Sequence, residues 1–197
     1  KKMTRTLPEV LANIPEIQLS EPATKGRSMM KWSWISYNRQ PLHLMLADDF
    51  DSITVAFEPS VYNGDGSETR KNIVFSIKDE LYDQLFALEE AIRESLKTHV
   101  PDIDSIWVTG LKSPSNYPAQ LRCKINMAGP KSVKYYNLDG EIRDKPSCFK
   151  ELACNVVVVV RGVYLQKNMA GLIIEARNLQ FEEKDQKDSC PFKRYDT

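Results

Sequence analysis

The chain is poor in the residues that metal and nucleophile chemistry draw on. Its 197 residues include two histidines, His43 and His99, and four cysteines, Cys123, Cys148, Cys154 and Cys190. No two cysteines form a CxxC pair and none clusters with a histidine, so a zinc site is poorly supplied. Glycine is scarce, at 8 residues. No GxGxxG, GxxxxGK[ST], GxSxG or HExxH pattern occurs, which removes the local signatures of dinucleotide sites, P-loops, nucleophile elbows and zinc peptidases. Long apolar runs are absent too. The longest, Val156–Val160, falls far short of the roughly 20 residues a membrane span needs. Lys1-Lys2-Met3 has no apolar stretch behind it, so no secretory signal is expected. The expectation is a soluble intracellular chain with no membrane span and no His- or Cys-built metal or cofactor site. Its thiols are expected reduced, a disulfide between two of them being the alternative, and Asp and Glu are the side chains left for any acid–base chemistry.

What is present is globular in composition, with 42% hydrophobic and 27% charged residues, near the average for folded domains. The length fits one domain able to bury a sizeable core. Formal net charge is zero, but the charges are segregated. Residues 1–40 carry seven positive and three negative charges, and residues 41–110 five and fourteen. Residues 111–180 carry eleven and five, and the remainder four and five. Such segregation fits either chance clustering on a solvated surface or one positive face assembled by the fold.

Strand signals dominate. Residues 29–37 alternate, with Met30, Trp32 and Trp34 on one face and Lys31, Ser33, Ile35 and Tyr37 on the other. Asn38–Pro41 is a turn signal, and Leu42–Leu46 a returning strand. Ser52–Glu58, Asn72–Ile77, Ser105–Gly110, Ala119–Met127, Ser132–Leu138, Cys154–Leu165 and Leu172–Phe181 are the further strands. One helix is expected over Asp79–Thr98, from Leu81, Leu85, Leu88, Ile92 and Leu96. Ser76 and Asp79 resemble a capping box, and Val100-Pro101 ends the helix. Residues 1–27, with three prolines, suggest an extended N-terminal arm ahead of a domain at 28–181. Residues 182–197 suggest a charged flexible tail with no sign of a natural end, as in a truncated chain. The fold class is mainly β with one long helix, a barrel or sandwich with an inserted helix.

Asp48, Asp49 and Asp51 are the tightest acidic cluster. They fit a solvated loop, with a Mg²⁺-dependent nuclease as the competing reading. Gly64-Asp65-Gly66 lacks the Lys and the following helix of a phosphate loop and fits a hairpin tip. The more informative pattern interleaves cations with aromatics. Lys25, Arg27, Lys31 and Arg39 surround Trp32, Trp34 and Tyr37. Lys112, Arg122 and Lys124 flank Tyr117. Lys131, Lys134, Arg143, Lys145 and Lys150 surround Tyr135, Tyr136 and Phe149. Bases stack on flat side chains while cations track phosphates, so this mixture suits single-stranded nucleic acid. Alternation sends Arg122 and Lys124 together to the side opposite Leu121, Cys123 and Ile125. The burial habit of tryptophan favours the core for Trp32 and Trp34, against their basic neighbours. Tyr135 and Tyr136 must point opposite ways, one to the core and one out.

Several stretches together resemble the OB-fold single-stranded-DNA-binding proteins of large nucleocytoplasmic DNA viruses. They are Met30–Tyr37, the helix Leu81–Leu96, Tyr117–Ile125, Tyr136–Gly140, Val156–Tyr164 and Gly171–Ile174, spanning most of residues 28–180. The resemblance implies an OB-fold-like β-barrel that binds single strands without sequence preference in viral DNA replication, recombination or repair, with no catalytic residues, no cofactor and no required metal. It implies single-stranded DNA as partner (single-stranded RNA is the alternative), self-association along the strand, and a location at viral replication sites in the host cytoplasm or nucleus. The near-neutral net charge departs from a basic DNA binder. The acidic residues 41–110 must therefore face away from the strand. A protein-interaction or virion structural β-domain is the competing non-enzymatic function.

Overall fold

The computed structural model describes residues 4–24, 30–61 and 69–182. Lys25, Arg27, the Gly64–Gly66 loop, Cys190 and the expected tail beyond Glu182 lie outside the described residues. The first elements are β1 (Thr4–Thr6), α1 (Leu7–Leu11), a 3₁₀ turn (Ile14–Glu16), β2 (Ile17–Leu19), β3 (Ala23–Thr24), β4 (Lys31–Tyr37), β5 (Gln40–Met45), β6 (Ile53–Ser60) and β7 (Arg70–Ile77). Then come α2 (Asp79–Leu96), α3 (Ile103–Ile106), β8 (Leu111–Lys112), β9 (Ala119–Asn126), β10 (Lys134–Tyr136), β11 (Ile142–Arg143), β12 (Cys154–Gln166) and β13 (Met169–Phe181).

The strands form one mixed sheet with the path β1-β5-β4-β12-β13-β9-β7-β6. The long β12–β13 hairpin is its spine, paired from Cys154–Phe181 to Gln166–Met169. β12 is shared between two partners: β5 lies against Val157–Val160 and β4 against Gly162–Leu165. At the other end the sheet curls until Thr54 of β6 bridges Ala153, the residue before β12. This mainly β architecture with one long helix is the one the alternation anticipates.

The core lies inside the curl. Ile73 and Phe75 of β7, Leu121, Cys123 and Ile125 of β9, Val156, Val158 and Val160 of β12 and Leu179 and Phe181 of β13 are buried there. α2 inserts Leu81, Leu85, Leu88, Ile92 and Leu96 into the same core, each worth about 1.5–3 kcal/mol when fully buried. Its N-cap is Lys78, with no side-chain cap bond, so the expected Ser76–Asp79 box does not form; Ser76 is inside β7. Beyond α2, the expected strand at 105–110 is replaced by the single turn α3 and an isolated bridge from Trp107 to Ala170. Trp107 instead donates its indole N–H to the buried Glu89, 2.6 Å away.

The N-terminal segment is built into this domain. β1 pairs with β5, β2 and β3 pair with β4, and Leu7 and Val10 are fully buried. Two of the three prolines that make it resemble an extended arm, Pro8 and Pro15, sit at the first turns of α1 and the 3₁₀ segment, where a missing N–H costs nothing.

Candidate nucleic-acid interface

β4 presents its two faces the other way round from what tryptophan's burial habit suggests. Ser33, Ile35 and Tyr37 point inward and are buried, while Trp32 and Trp34 point outward, with Trp34 44% exposed. The indoles stack, ring centroids 5.6 Å apart and planes 15° from parallel. Two local features hold them there. Ser33 is small enough to be buried, donating its hydroxyl to the Ser20 carbonyl at 2.6 Å, and Ser20 Oγ accepts the Trp34 amide at 2.9 Å. On the other flank Gly162 of β12 pairs with Trp34. A Cβ on Gly162 would lie 2.3 Å from the Ser33 carbonyl oxygen, so only glycine lets β4 approach this closely.

Register carries this outer face across the sheet. Glu175 of β13 lies opposite Lys124 of β9, which lies opposite Asn72 of β7. One row over, Arg122 lies opposite Val74, which lies opposite Phe57 of β6. Phe57 is 53% exposed. From β4 to β6 the path crosses five strand spacings, roughly 24 Å. Lys112 of β8 pairs with Gln120 and so joins Arg122's side.

Glu175 organises the cations. It is 5% exposed and receives Arg161 Nε at 3.0 Å, Arg177 Nη2 at 2.9 Å and the Asn126 amide at 2.7 Å. Arg177 also donates to the Lys131 carbonyl at 2.7 Å, and Lys124 Nζ donates to Asn72 Oδ1 at 2.7 Å. One carboxylate between two guanidiniums leaves the cluster net positive. Trp32, Trp34, Arg70, Asn126, Lys131, Arg161, Ile173 and Glu175 together line one groove of about 280 Å³. Glu175 lines this groove, while the acidic residues of α2 lie away from it. α2 shares the core with Leu121 and Cys123, so its charged outer side is across β9 from Arg122 and Lys124.

The remaining candidates are placed as follows. Tyr37 is buried, with the Arg5 guanidinium 4.7 Å from its ring centroid. Tyr135 and Phe149 are buried in an aromatic cluster with Phe181, and burial pushes the Tyr135 phenol up to about 12. These three rings are closed to a ligand: they are core residues, which the basic neighbours in sequence conceal. Tyr136, the neighbour of Tyr135, is half-buried on the outer side. Tyr117 is 72% exposed in the loop before β9, and Lys134 is exposed on β10. Lys31 leaves β4 from the side opposite Trp32. Arg39 sits at the tip of the β4–β5 hairpin, at φ 62°.

Arg143, Lys145 and Lys150 belong to the segment that ties β10 and β11 back to β12. There Glu58 accepts the Phe149 and Lys150 amides and the Cys148 thiol. Burial opposes its ionisation, but the Lys150 amide, the Cys148 thiol and the Phe149 amide outweigh that and hold the carboxyl below its ordinary range. Lys150 also pairs with Glu151 at 3.5 Å.

Alternation anticipates Arg122 and Lys124, but Arg70, Arg161, Arg177 and Phe57 are not picked out by it. Arg161 sits in a valine run beside a register shift in the β12–β13 ladder, and a lone cation in such a run is the available signal.

The acidic loop is self-contained. Asp49 accepts the Asp51 amide at 3.0 Å and the Ser52 hydroxyl at 2.9 Å, and the Ser52 hydroxyl holds its carboxyl below the ordinary value. Among the described residues, no three His, Cys, Asp or Glu side chains form a group that could hold a metal ion. Burial raises the Cys154 thiol to about 12 and Cys123 higher still, and among the described residues no cysteine is disulfide-bonded. Among them too, no helix is long and apolar enough to cross a membrane.

No family model matches the sequence, and no curated protein matches it. Among solved structures the chain is similar to the single-stranded DNA-binding protein from bacteriophage Enc34 in complex with ssDNA. The identity is 14% and the TM-score 0.47, over 84% of this chain and 96% of that one. It is also similar to gp2.5, a single-stranded DNA binding protein encoded by bacteriophage T7, at 12% identity and a TM-score of 0.42, over 71% and 92%.

Proposed function

We propose that this protein binds single-stranded DNA without sequence preference, along the outer face of the sheet from β4 to β6. The observation that carries the proposal is the exposed Trp32–Trp34 stack beside a net-positive cluster of arginines organised by Glu175. A stacked indole pair offers a flat apolar surface to any base, at about 1–3 kcal/mol per base, and the cations follow the phosphates. Duplex DNA hides its base faces, so the same surface favours single strands. The role is to cover single strands during viral DNA replication, recombination or repair. The sequence resemblance to the OB-fold proteins of large nucleocytoplasmic DNA viruses, the African swine fever virus member among them, supports that setting. Binding of this kind needs no metal, cofactor or catalytic residue.

Intrinsic fluorescence tests it. Oligothymidylate stacking on Trp32 and Trp34 quenches tryptophan emission, and added salt restores it as cations re-condense on the phosphates and displace the protein. Unchanged emission at saturating oligonucleotide and low salt would contradict the stacking surface.

A further inference from the structure

The outer face of β12 and β13 continues past the arginine cluster to a second feature. Five residues beyond Glu175, roughly 17 Å along the strand, the turn between β10 and β11 overhangs the sheet. It borders a cavity of about 230 Å³, open on one side to solvent and lined by Met45, Tyr136, Asn155, Val157, Asn178 and Gln180, among others. Its walls are apolar or aromatic and its floor carries amides.

The hydrogen bonds fix which way those amides point. Gln180 Nε2 donates to the carbonyls of Asn137 and Leu138, at 3.0 and 3.1 Å. Two carbonyl acceptors require the nitrogen on that side, so Gln180 Oε1 faces Asn155, its cross-strand partner. Asn155 therefore presents Nδ2 to it, at 3.4 Å. That leaves Asn155 Oδ1 buried without a hydrogen-bond partner, the only such side-chain atom among the described residues. A buried acceptor left unpaired is costly.

Resting on the single-strand reading, we propose that this cavity takes one unstacked nucleobase, whose Watson–Crick-edge N–H is donated to Asn155 Oδ1. Each of the four bases carries such an N–H, so the site recognises a base as a base and keeps binding sequence-tolerant. Val157 and the Tyr136 ring supply its walls. Asn155 Oδ1 is closed to solvent, so the base enters as a wall moves. Met45, unbranched and adaptable, is the wall suited to move.

The experiment compares oligothymidylate with an oligomer of N3-methylthymidine, which has lost the ring N–H. Affinities are measured for the wild-type chain, for Asn155→Leu and for Val157→Phe, which fills the cavity. Both substitutions lie on the outer face, and thermal melts verify folding. The wild type is expected to prefer oligothymidylate by roughly tenfold, the scale of one buried hydrogen bond. Both variants are expected to reduce that preference to about twofold or less. Equal wild-type affinity for the two oligomers, or a preference that survives in either folded variant, would overturn the pocket and leave the stacking face standing. Failure of the wild type to bind either oligomer would remove the single-strand reading and the pocket with it.

Discussion

Trp34 packs its backbone against Gly162 so closely that a Cβ there would lie 3.2 Å from the Trp34 Cα and 2.3 Å from the neighbouring Ser33 carbonyl oxygen. The placement of the stacked indoles thus depends on a missing side chain one strand away. Gly162→Ala forces β4 and β12 apart at this point. It should lower stability by about 1–3 kcal/mol, as overpacking does, and weaken oligonucleotide binding as well. Denaturant midpoints and oligothymidylate affinity measured on the same preparation check both effects.

Trp34→Ala separates stacking from stability. The ring is on the outer face, so its removal should change the melting temperature little. Single-strand affinity should fall by about 1–3 kcal/mol. An affinity within twofold of wild type would remove Trp34 from the interface.

Arg122 and Lys124 point out of β9 together, and charge reversal of both should abolish binding while the fold survives. The milder pair Arg122→Gln and Lys124→Gln gives a graded reading. Each phosphate contact contributes about 0.7 to the slope of log affinity against log salt for single strands, so the slope should flatten by about 1.4. An unchanged slope would mean that neither side chain meets a phosphate.

Glu175 is a buried carboxylate that satisfies two guanidiniums and an amide. Glu175→Ala leaves those donors without their acceptor and should cost roughly 2–4 kcal/mol, read as a lower denaturant midpoint. Glu175→Gln keeps an acceptor oxygen and should cost less.

Glu58 gives the chain a specific acid sensitivity. Its carboxyl is held below the ordinary value of 4.5 by the Lys150 amide, the Cys148 thiol and the Phe149 amide, against the opposing effect of burial. A depressed folded value means stability that is fully present above the unfolded value and lost as pH falls through the folded one. Glu58→Gln should therefore be less stable than wild type near neutral pH, with the gap closing below about pH 4. Denaturation of both proteins across that range measures it, and a gap independent of pH would exclude the ionised form as the acceptor.

Much of the fold was legible because local signals sufficed for it. β9 alternates without interruption, so the outward pointing of Arg122 and Lys124 follows from residues 119–126 alone. The 3.6-residue repeat of leucines and isoleucine likewise defines α2. The indoles of β4 show the limit. Which residues share a face is local information, but which face is core depends on β12, more than a hundred residues away. The size of tryptophan argues for the core, and Gly162 decides otherwise. Arg70, Arg161 and Arg177 escape local reading for a related reason: only the sheet order brings Arg70 of β7 and Arg161 of β12 to one groove, and Arg177 of β13 to the Glu175 carboxylate beside them. Tyr37 and Phe149 are core rings that local reading does not identify, because basic neighbours in sequence say nothing of which way a ring points, while alternation alone separates Tyr135 from Tyr136 without saying which of the two is buried. The segment before β4 was harder still, since its short strands exist only as additions to β4 and β5.

The proposed interface joins stacking and charge on one sheet face. Fluorescence anisotropy of a labelled oligothymidylate and of a matched duplex, titrated at low and near-physiological salt, tests it most directly. Tight, salt-sensitive binding to the single strand and much weaker binding to the duplex are expected. Equal affinity for both, or no binding to either at low salt, would contradict that interface.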